Sequence, residues 1–242
     1  MKLEDVRKLQ QRKHREASGL FLVEGEHLLL ELQKAAERDP RLRSSEVYCT
    51  RETAHLAGSF RTHLLNDHLM AQLGETRSQQ GVVAVVPRLP PAAPAAGERA
   101  IYLHEIQDPG NLGTILRSLA WFGGFRCLLS PGSVDPYNGK ALRASMGAIF
   151  QVPVEVDVPL DALPARYARL ACLDLQGEPI ATLAFREGQC FLFGNEARGV
   201  PREALTRLGA RSFTIGGRGG IESLNLATSV ALCQYELHRP AG

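Results

Sequence analysis

Polar and charged residues adjoin glycine-rich turns at three places in the chain. The segments are Asp108-Pro-Gly-Asn-Leu-Gly-Thr-Ile-Leu-Arg117, Phe193-Gly-Asn-Glu-Ala-Arg-Gly-Val-Pro201 and Ile215-Gly-Gly-Arg-Gly-Gly220, the last leading through Ile221 into Glu222-Ser-Leu-Asn225. Glycine at the end of a strand leaves backbone amides and carbonyls accessible to a ligand. The three segments therefore predict a nucleotide-type pocket, although neither GxGxxG nor GxxxxGK[ST] occurs in the sequence.

The first segment places an amide and a guanidinium on one helix. Asn111 is a good N-cap for the helix that follows Pro109. The buried stripe of this helix is predicted to comprise Leu112, Ile115, Leu116 and Leu119. Thr114, Arg117 and Trp121 share the opposite face, so Arg117 is expected over the open end of the sheet. The alternatives are a purely capping Asn111 and a surface ion pair for Arg117.

The second and third segments add a carboxylate and two further polar side chains. Gly194 has no side chain to block a ligand, and Glu196 can accept hydrogen bonds from cofactor or substrate hydroxyls. Ser223 and Asn225 stand at the mouth of an apolar helix that is predicted to begin near Glu222 or Ser223. The alternative for the second segment is an ordinary turn, since glycine is common in turns.

Alternating helices and strands must position these groups. Strands are predicted near Ile101 to Ile106, Arg126 to Leu129, Ala171 to Leu175, Gln189 to Phe193 and Arg211 to Ile215, with helices between them. This order predicts a parallel sheet covered on both faces, with ligands at the carboxyl ends of its strands. The last helix is apolar on more than one face, which favours a dimer interface; a helix sandwiched within the monomer is the alternative.

A proline- and alanine-rich stretch divides the chain into two predicted domains. Residues 87–99 contain four prolines and four alanines, which favour a semi-rigid spacer with almost nothing to pack. The division is therefore 1–86, a linker over 87–99, and 100–242. The first domain is predicted to contain a polar helix to about Ser18, the strand Leu20 to Glu24, a helix from about Glu26 to Arg38, and the strands Val47 to Thr50 and Val82 to Val86. This pattern indicates a small α/β sandwich.

Composition indicates a globular protein. The chain has 242 residues with 44% hydrophobic and 22% charged residues, and no apolar run approaches the roughly 20 residues that span a membrane. The charged amino terminus lacks the features of a secretory signal, so a cytoplasmic location is expected. The five cysteines are widely spaced, which predicts buried thiols rather than disulfides or a zinc site, and no metal site is expected.

Net charge alone does not indicate a nucleic-acid partner, because it is only +2. The first 15 residues, however, hold six basic residues, namely Lys2, Arg7, Lys8, Arg12, Lys13 and Arg15. Such a cluster is a candidate phosphate-contacting surface. The alternative is a solvated helix face, since surface charge runs are common.

In order and spacing, the three glycine-rich segments resemble the motifs of the SpoU/TrmH family of RNA ribose 2'-O-methyltransferases, within the SPOUT superfamily. Lys13-His-Arg-Glu-Ala-Ser-Gly-Leu-Phe-Leu-Val-Glu-Gly-Glu26 and Ser78-Gln-Gln-Gly-Val82 resemble the substrate-binding domain that precedes many catalytic domains of this family. That domain is similar to an RNA-binding ribosomal-protein fold. Asn138-Gly-Lys-Ala-Leu-Arg-Ala-Ser-Met-Gly147 also resembles the family's segment between the first two motifs.

The resemblance implies a knotted catalytic domain and a set of site residues. It implies a carboxyl-terminal domain that binds S-adenosylmethionine and contains a deep trefoil knot. It also implies that the protein forms a homodimer through this domain. It implies that the reaction centre is lined by Asn111, Arg117, Glu196, Ser223 and Asn225. Cofactor contacts, largely through main chain, are implied for Gly194, Ile215 and Leu224. The residues expected to contact RNA are Lys8, Arg12, Lys13, Arg15 and Arg143.

The activity implied is methylation of a ribose 2'-hydroxyl in RNA, with ribosomal RNA favoured because of the separate amino-terminal domain. Transfer RNA is the alternative substrate, and a non-catalytic RNA-binding protein of the same fold is the alternative function. A guanidinium is effectively always charged, so Arg117 is expected to stabilise the developing alkoxide and hold the adjoining phosphate. The chain departs from the family's usual Ile-Pro-Met at Ile215-Gly-Gly217, where the loop becomes more flexible.

Overall fold

The computed structural model describes residues 1–74, 81–218, 220 and 223–240, and it divides into two compact units. Unit 1 comprises Met1–Pro90 and Asp135–Gln151, and unit 2 comprises Pro91–Val134 and the chain from Val152 onward. The resemblance over residues 78–80 and the expected helix start at Glu222 lie outside the described residues.

Helices and strands alternate along most of the chain. Within the described residues, the α-helices are α1 (Leu3–Lys8), α2 (Arg12–Ser18), α3 (Glu26–Arg38), α4 (Asp67–Met70), α5 (Pro109–Phe122), α6 (Gly139–Ser145), α7 (Leu183–Arg186), α8 (Arg202–Leu208) and α9 (Leu226–His238). The strands are β1 (Leu20–Glu24), β2 (Glu46–Cys49), β3 (Arg61–Leu64), β4 (Val82–Pro87), β5 (Arg99–Leu103), β6 (Phe125–Leu129), β7 (Val154–Glu155), β8 (Leu170–Pro179), β9 (Cys190–Phe193) and β10 (Arg211–Thr214). Short 3-10 helices occupy Pro40–Ser44, Ala54–Ala57, Ala148–Phe150 and Leu160–Ala162.

Unit 1 is built on a mixed sheet in the order β1-β4-β2-β3. Strand β4 pairs antiparallel with both β1 and β2, and β3 pairs parallel with β2. The valines and alanine of β4 are buried on both faces, which suits an inner strand with a core on each side. One core contains Phe21 of β1 and Leu32 of α3, and a second contains Val6 of α1 and Tyr48 of β2.

The segment Asp135–Gln151 belongs to unit 1, although the sequence-based division assigned it to the second domain. Leu142 of α6 is 1% exposed and lies in the same hydrophobic cluster as Phe21. Phe21 also packs against Tyr137, with 4.8 Å between ring centroids, and against Phe150, at 6.3 Å. A boundary drawn only at residues 86 and 100 therefore omits part of the core of unit 1.

Unit 2 is an α/β unit with a parallel sheet in the order β10-β8-β9-β5-β6-β7. Its inner strands are almost wholly apolar and buried, as expected for a sheet covered on both faces. The predicted stripe of α5 is confirmed, since Leu112, Ile115, Leu116 and Leu119 are at most 1% exposed. The carboxyl ends of β9, β8 and β10 are neighbours, and two of the glycine-rich segments follow β9 and β10.

The proline- and alanine-rich stretch is fixed at both ends. Pro87 still pairs with Leu20 in the sheet of unit 1. Within unit 2, the Ala92 carbonyl accepts a hydrogen bond from Arg126 Nη2 (3.0 Å), and the same Nη2 lies 2.7 Å from Glu98 Oε2. Because Arg126 is 2% exposed, a buried ion pair anchors this end of the stretch. The stretch therefore makes more contacts with the folded chain than the sequence predicts for a spacer.

Several local expectations differ from the structure. The polar amino-terminal helix is two helices, α1 and α2, and the two-residue strand β7 was not predicted. The last helix begins at Leu226, with Asn225 as its N-cap, rather than near Ser223. The prediction of buried thiols is confirmed for all five cysteines, Cys49, Cys127, Cys172, Cys190 and Cys233. Among the described residues, the helices are too short or too polar to cross a membrane.

Candidate active site

Helix α5 begins at Pro109 and is capped by Asp108. Asp108 Oδ1 accepts hydrogen bonds from the backbone amides of Gly110 and Asn111, and proline at the first helical position has no amide that needs a partner. The expectation that Asn111 is the N-cap is therefore wrong, because Asp108 fills that position. As a consequence, the amide side chain of Asn111 is available for other contacts.

Asn111 joins side chains from two other segments. Its Nδ2 donates to Glu196 Oε1 (3.1 Å), and its Oδ1 accepts from Asn225 Nδ2 (3.0 Å). Glu196 follows β9 and lies in the second glycine-rich segment, whereas Asn111 lies in the first. Asn225 caps α9 and follows the third segment in the sequence. Three of the five residues expected at the reaction centre are therefore linked in one chain of hydrogen bonds, with Asn111 at its centre.

The direction of these hydrogen bonds is fixed by the cap of α9. Asn225 Oδ1 accepts from the backbone amides of Ala227 (2.9 Å) and Thr228 (3.2 Å), so its Nδ2 must be the atom that faces Asn111. Asn111 must then present its oxygen to Asn225 and its Nδ2 to Glu196. The result is a chain of donors that ends on a carboxylate, and an exposed carboxylate can accept further hydrogen bonds from a ligand hydroxyl.

Arg117 and Ser223 are exposed, and the structure does not bring them into contact with this cluster. Arg117 makes no hydrogen bond or ion pair with the described part of the chain, and Thr114, on the same face of α5, donates its hydroxyl to the Gly110 carbonyl (2.9 Å). Trp121 is 85% exposed. The predicted outer face of α5 is confirmed, and the Arg117 guanidinium on it is accessible to solvent.

The three residues expected at a cofactor lie near the carboxyl ends of strands or before α9. Ile215 is half-buried and Leu224 is 43% exposed. A Cβ on Gly216 or Gly217 would meet no atom of the described residues within 4 Å, so that side of the backbone is open with respect to this part of the chain. Accessible main chain beside apolar side chains suits a purine-containing cofactor that is held largely by the backbone.

Gly194 is required for a different reason from the one expected. A Cβ at this position would overlap the backbone of Gly199 and Val200, so the chain itself packs against the glycine. The Gly199 amide donates to the Asn195 carbonyl (2.8 Å), which closes the same turn. The absent side chain therefore makes room for this turn rather than for a ligand.

Two further residues support the site, and sequence analysis assigned neither a role. Asn195 is 8% exposed, and its Nδ2 donates to the Glu105 carbonyl (2.9 Å). Glu105 has a positive φ of 50°. Burial lowers the pKa of the adjacent His104, an effect that the charge of Glu105 opposes. The position of Asn195 between Gly194 and Glu196 could have identified it from the sequence, whereas no local pattern marks Glu105.

The residues expected to contact RNA divide into exposed and buried groups. Lys13 is exposed, Lys8 pairs with Asp5 (3.1 Å), and Arg12 pairs with Glu16 (2.6 Å) on the surface of unit 1. These pairs are exposed and therefore contribute little to stability.

Arg15 requires a correction, because it is only 4% exposed. Its Nη2 lies 2.6 Å from Asp135 Oδ2, and its Nη1 donates to the carbonyls of Leu9 and Gln10 (2.8 Å each). Buried, paired arginine has a structural role and no surface for RNA. Arg143 is half-buried, with Nη1 3.7 Å from Glu24 Oε2, and it packs within unit 1.

The family models cover both parts of the chain. Residues 98–235 match the model of the SpoU rRNA Methylase family, and residues 1–84 match the model of an MRM3-like substrate binding domain. These two matches correspond to the catalytic and substrate-binding parts that the sequence motifs indicated.

One relative and two solved structures align over nearly the whole chain. The 23S rRNA (guanosine(2553)-2'-O)-methyltransferase RlmP of Bacillus subtilis is 30% identical over 98% of this chain and 95% of its own length. A protein of Porphyromonas gingivalis assigned to the TrmH family of RNA methyltransferases is 26% identical, with a TM-score of 0.83, over 97% of this chain and 96% of that one. An AdoMet-bound rRNA methyltransferase from Sinorhizobium meliloti is 25% identical, with a TM-score of 0.82, over 97% and 93%.

Proposed function

Because this chain belongs to the SpoU rRNA methylase family, we propose that it transfers a methyl group from S-adenosylmethionine to a ribose 2'-hydroxyl of RNA. The observation that carries the proposal is the chain of hydrogen bonds from Asn225 through Asn111 to Glu196. It joins residues of separate glycine-rich segments at one edge of the sheet, which is where parallel sheets bind ligands.

Ribosomal RNA is the substrate class that the similarities favour. The Bacillus subtilis relative is named for methylation of 23S rRNA, and unit 1 overlaps the match to an MRM3-like substrate binding domain. The exposed cations Lys8, Arg12 and Lys13 supply a surface in unit 1 that attracts phosphates. Transfer RNA is the alternative substrate. A cytoplasmic location is proposed on the likeness to the Bacillus subtilis enzyme, which is named for ribosomal RNA.

The cofactor supplies a methyl group on a sulfonium centre, which is already activated for transfer to an oxygen nucleophile. The residues proposed to hold it are Ile215 and Leu224 with the adjoining backbone of Gly216 and Gly217, and the turn at Gly194. Ile215 and Leu224 offer partly exposed apolar surface, and the backbone of Gly216 and Gly217 has no described atom near it on the side where a Cβ would lie. The turn at Gly194 is included because it follows the neighbouring strand β9. No covalent link between protein and methyl group is needed.

The polar residues act on the ribose hydroxyl. Glu196, held by Asn111, is proposed to accept the hydrogen bond of the hydroxyl and to orient its oxygen toward the methyl carbon. Arg117 is proposed to bind the adjoining phosphate and to stabilise negative charge on the oxygen as the hydroxyl proton passes to the Glu196 carboxylate. Ser223 is proposed to line the same centre. Positioning and charge stabilisation account for most of the acceleration in such a reaction.

A dimer interface is proposed on the side of unit 2 formed by α5 and α9, which pack against each other. Trp121 on α5 is 85% exposed, and Leu232 and Tyr235 on α9 are 38% and 59% exposed. Large exposed apolar side chains on neighbouring helices favour a protein contact, and a second copy of the chain is the partner proposed. The trefoil knot and the ribosomal-protein-like fold of the amino-terminal part are proposed on the family resemblance.

The proposed activity is tested by transfer of a labelled methyl group from S-adenosylmethionine to total RNA that lacks modifications. The intact protein is compared with Arg117→Ala and with Arg207→Ala, which removes a surface arginine paired with Asp161 (2.6 Å). Label in ribosomal RNA that only Arg117→Ala abolishes supports the proposal. If no protein labels RNA and calorimetry detects no cofactor binding, the non-catalytic RNA-binding function replaces it.

A further inference from the structure

Two loops adjoin the polar residues of the site, and Glu105 connects them. The β5–α5 loop (residues 104–108) precedes the helix of Asn111, and the β9–α8 loop (residues 194–201) contains Glu196. Asn195 Nδ2 donates to the Glu105 carbonyl (2.9 Å), and Arg198 Nη2 donates to Glu105 Oε2 (2.6 Å). Glu105 therefore holds the second loop on both sides of Glu196, once through its backbone and once through its carboxylate.

The backbone of Glu105 is held in an unusual conformation. Its φ of 50° lies in the left-handed region, which a residue other than glycine rarely adopts. Its amide donates to Ser130 Oγ (2.7 Å), and its carbonyl accepts from Gln107 Nε2 (2.9 Å) as well as from Asn195. These contacts fix the backbone from which the carboxylate projects, and such local strain concentrates at functional sites.

Stability does not account for the ion pair between Glu105 and Arg198. The two side chains are 37% and 72% exposed, and exposed pairs of this kind contribute little to folding. The pair does, however, remove a degree of freedom from the loop that presents Glu196. Glu196 is itself exposed and accepts a hydrogen bond from Asn111 of α5, so its position depends on how firmly the β9–α8 loop is held.

We propose that Glu105 and Arg198 form a positioning pair that holds Glu196 against Asn111 for methyl transfer. The inference rests on the proposed methyltransferase function. Neither residue touches the reacting atoms in this mechanism: both act through the β9–α8 loop. Loss of the pair lets Glu196 move away from the ribose hydroxyl. Misplacement of a positioning group by about 1 Å is enough to lower the rate of the chemical step.

The test compares four variants with the intact protein. Glu105→Gln and Arg198→Gln each remove one charge, Arg198→Lys keeps the positive charge, and the double variant Glu105→Arg/Arg198→Glu reverses the pair. Arg207→Gln is the control, because it breaks another exposed ion pair, with Asp161; the Arg207 and Asp161 side chains are 60% and 67% exposed. Initial rates of methyl transfer give kcat and the KM for RNA, calorimetry gives the Kd for S-adenosylmethionine, and thermal unfolding verifies the fold.

We expect each single substitution to glutamine to lower kcat about tenfold, with KM, Kd and thermal stability close to those of the control. Arg198→Lys should retain most of kcat, and the reversed pair should restore most of it. Recovery in the double variant would not be expected if each substitution simply damaged the local structure. Unchanged kcat in the glutamine variants, or no recovery in the reversed pair, would overturn the inference.

A different outcome would assign Arg198 to RNA binding instead. In that case only Arg198→Gln would raise the KM for RNA, the effect would grow weaker at high salt, and Glu105→Gln would leave kcat unchanged. This result also overturns the positioning role. Absence of activity in the intact protein would instead refute the proposed function itself.

Discussion

Asn225 donates a hydrogen bond from its Nδ2 to Oδ1 of Asn111, 3.0 Å away, although 114 residues separate them in the sequence. The contact is directional, because the oxygen of Asn225 is already engaged by two amides at the start of α9. The cap of a helix therefore determines which atom of Asn111 faces Glu196. This dependence makes the capping role and the site role of Asn225 separable by mutation.

Asn225→Asp is expected to keep the cap and lose the site contact. Aspartate caps helices as well as asparagine does, so the free energy of unfolding should change by less than about 0.5 kcal/mol. The new oxygen would face Asn111 Oδ1, and if the amide of Asn111 turns over, its oxygen would face Glu196. Either arrangement breaks the chain of donors, so kcat for methyl transfer should fall at least about tenfold.

Asn66→Asp is the matched control for this change. Asn66 caps α4 in unit 1, where its side chain accepts a hydrogen bond from the Leu69 amide (2.9 Å). The two variants should unfold at similar urea concentrations, and only the change at Asn225 should reduce the rate. Wild-type kcat in Asn225→Asp would show that the direction of this hydrogen bond is unimportant.

Arg117→Lys is expected to retain the positive charge and still lose at least about tenfold in kcat, because lysine cannot form the two parallel hydrogen bonds of a guanidinium to phosphate. Arg117→Ala should lose more. Because Arg117 is exposed and has no ion pair with the described part of the chain, neither change should lower the unfolding temperature. Near-full turnover of the lysine variant would reduce the role of Arg117 to charge alone.

The elements of unit 2 were largely predictable, whereas several site details were not. Apolar runs such as those of β6 and β9 identify buried strands, but the two residues of β7 are too few to form a pattern. Asn111 and Asp108 are both good capping residues, and only the position of Pro109 relative to the helix start decides between them. The requirement for Gly194 depends on the return of the chain at Gly199, which no local pattern encodes.

Long-range contacts also explain why two predictions differ from the structure. Arg15 is expected to contact RNA but is buried, and residues 135–151 are expected in the second domain but belong to unit 1. Arg15 is a typical exposed helix residue by sequence, and its burial depends on Asp135, 120 positions later. The same segment carries Leu142, whose apolar character indicates a core but does not say which one. Sequence patterns define buried faces, whereas the partner of each face depends on the tertiary fold.

Arg15→Met is expected to lower the free energy of unfolding by about 3–5 kcal/mol, because it leaves the Asp135 carboxylate, whose side chain is only 10% exposed, without its partner. It also removes the hydrogen bonds to the carbonyls of Leu9 and Gln10. Lys13→Met, on the exposed side of α2, should change stability by less than about 0.5 kcal/mol. Urea unfolding measures both, and equal stabilities would refute the structural role of Arg15.

Lys13→Met should in contrast weaken RNA binding and reduce its salt dependence, as expected for loss of one phosphate contact. The measurement is the Kd for ribosomal RNA fragments at two or more salt concentrations. An unchanged Kd would favour the solvated helix face as the role of this cluster.

Glu46 should make the stability of unit 1 depend on pH. Hydrogen bonds from the amino group of Met1, and also from His63 and Tyr48, lower the pKa of Glu46 from its ordinary value of 4.5 to about 2, against the opposing effect of burial. Because the folded pKa lies below the unfolded value, the stabilisation is complete above pH 4.5 and is lost as pH falls toward 2.

Urea unfolding at pH 6.5 and pH 3 should therefore show a smaller loss of stability in Glu46→Gln than in the wild type. Glu37→Gln, at an exposed position, is the control and should behave like the wild type. Equal losses in all three proteins would mean that Glu46 does not contribute to acid sensitivity.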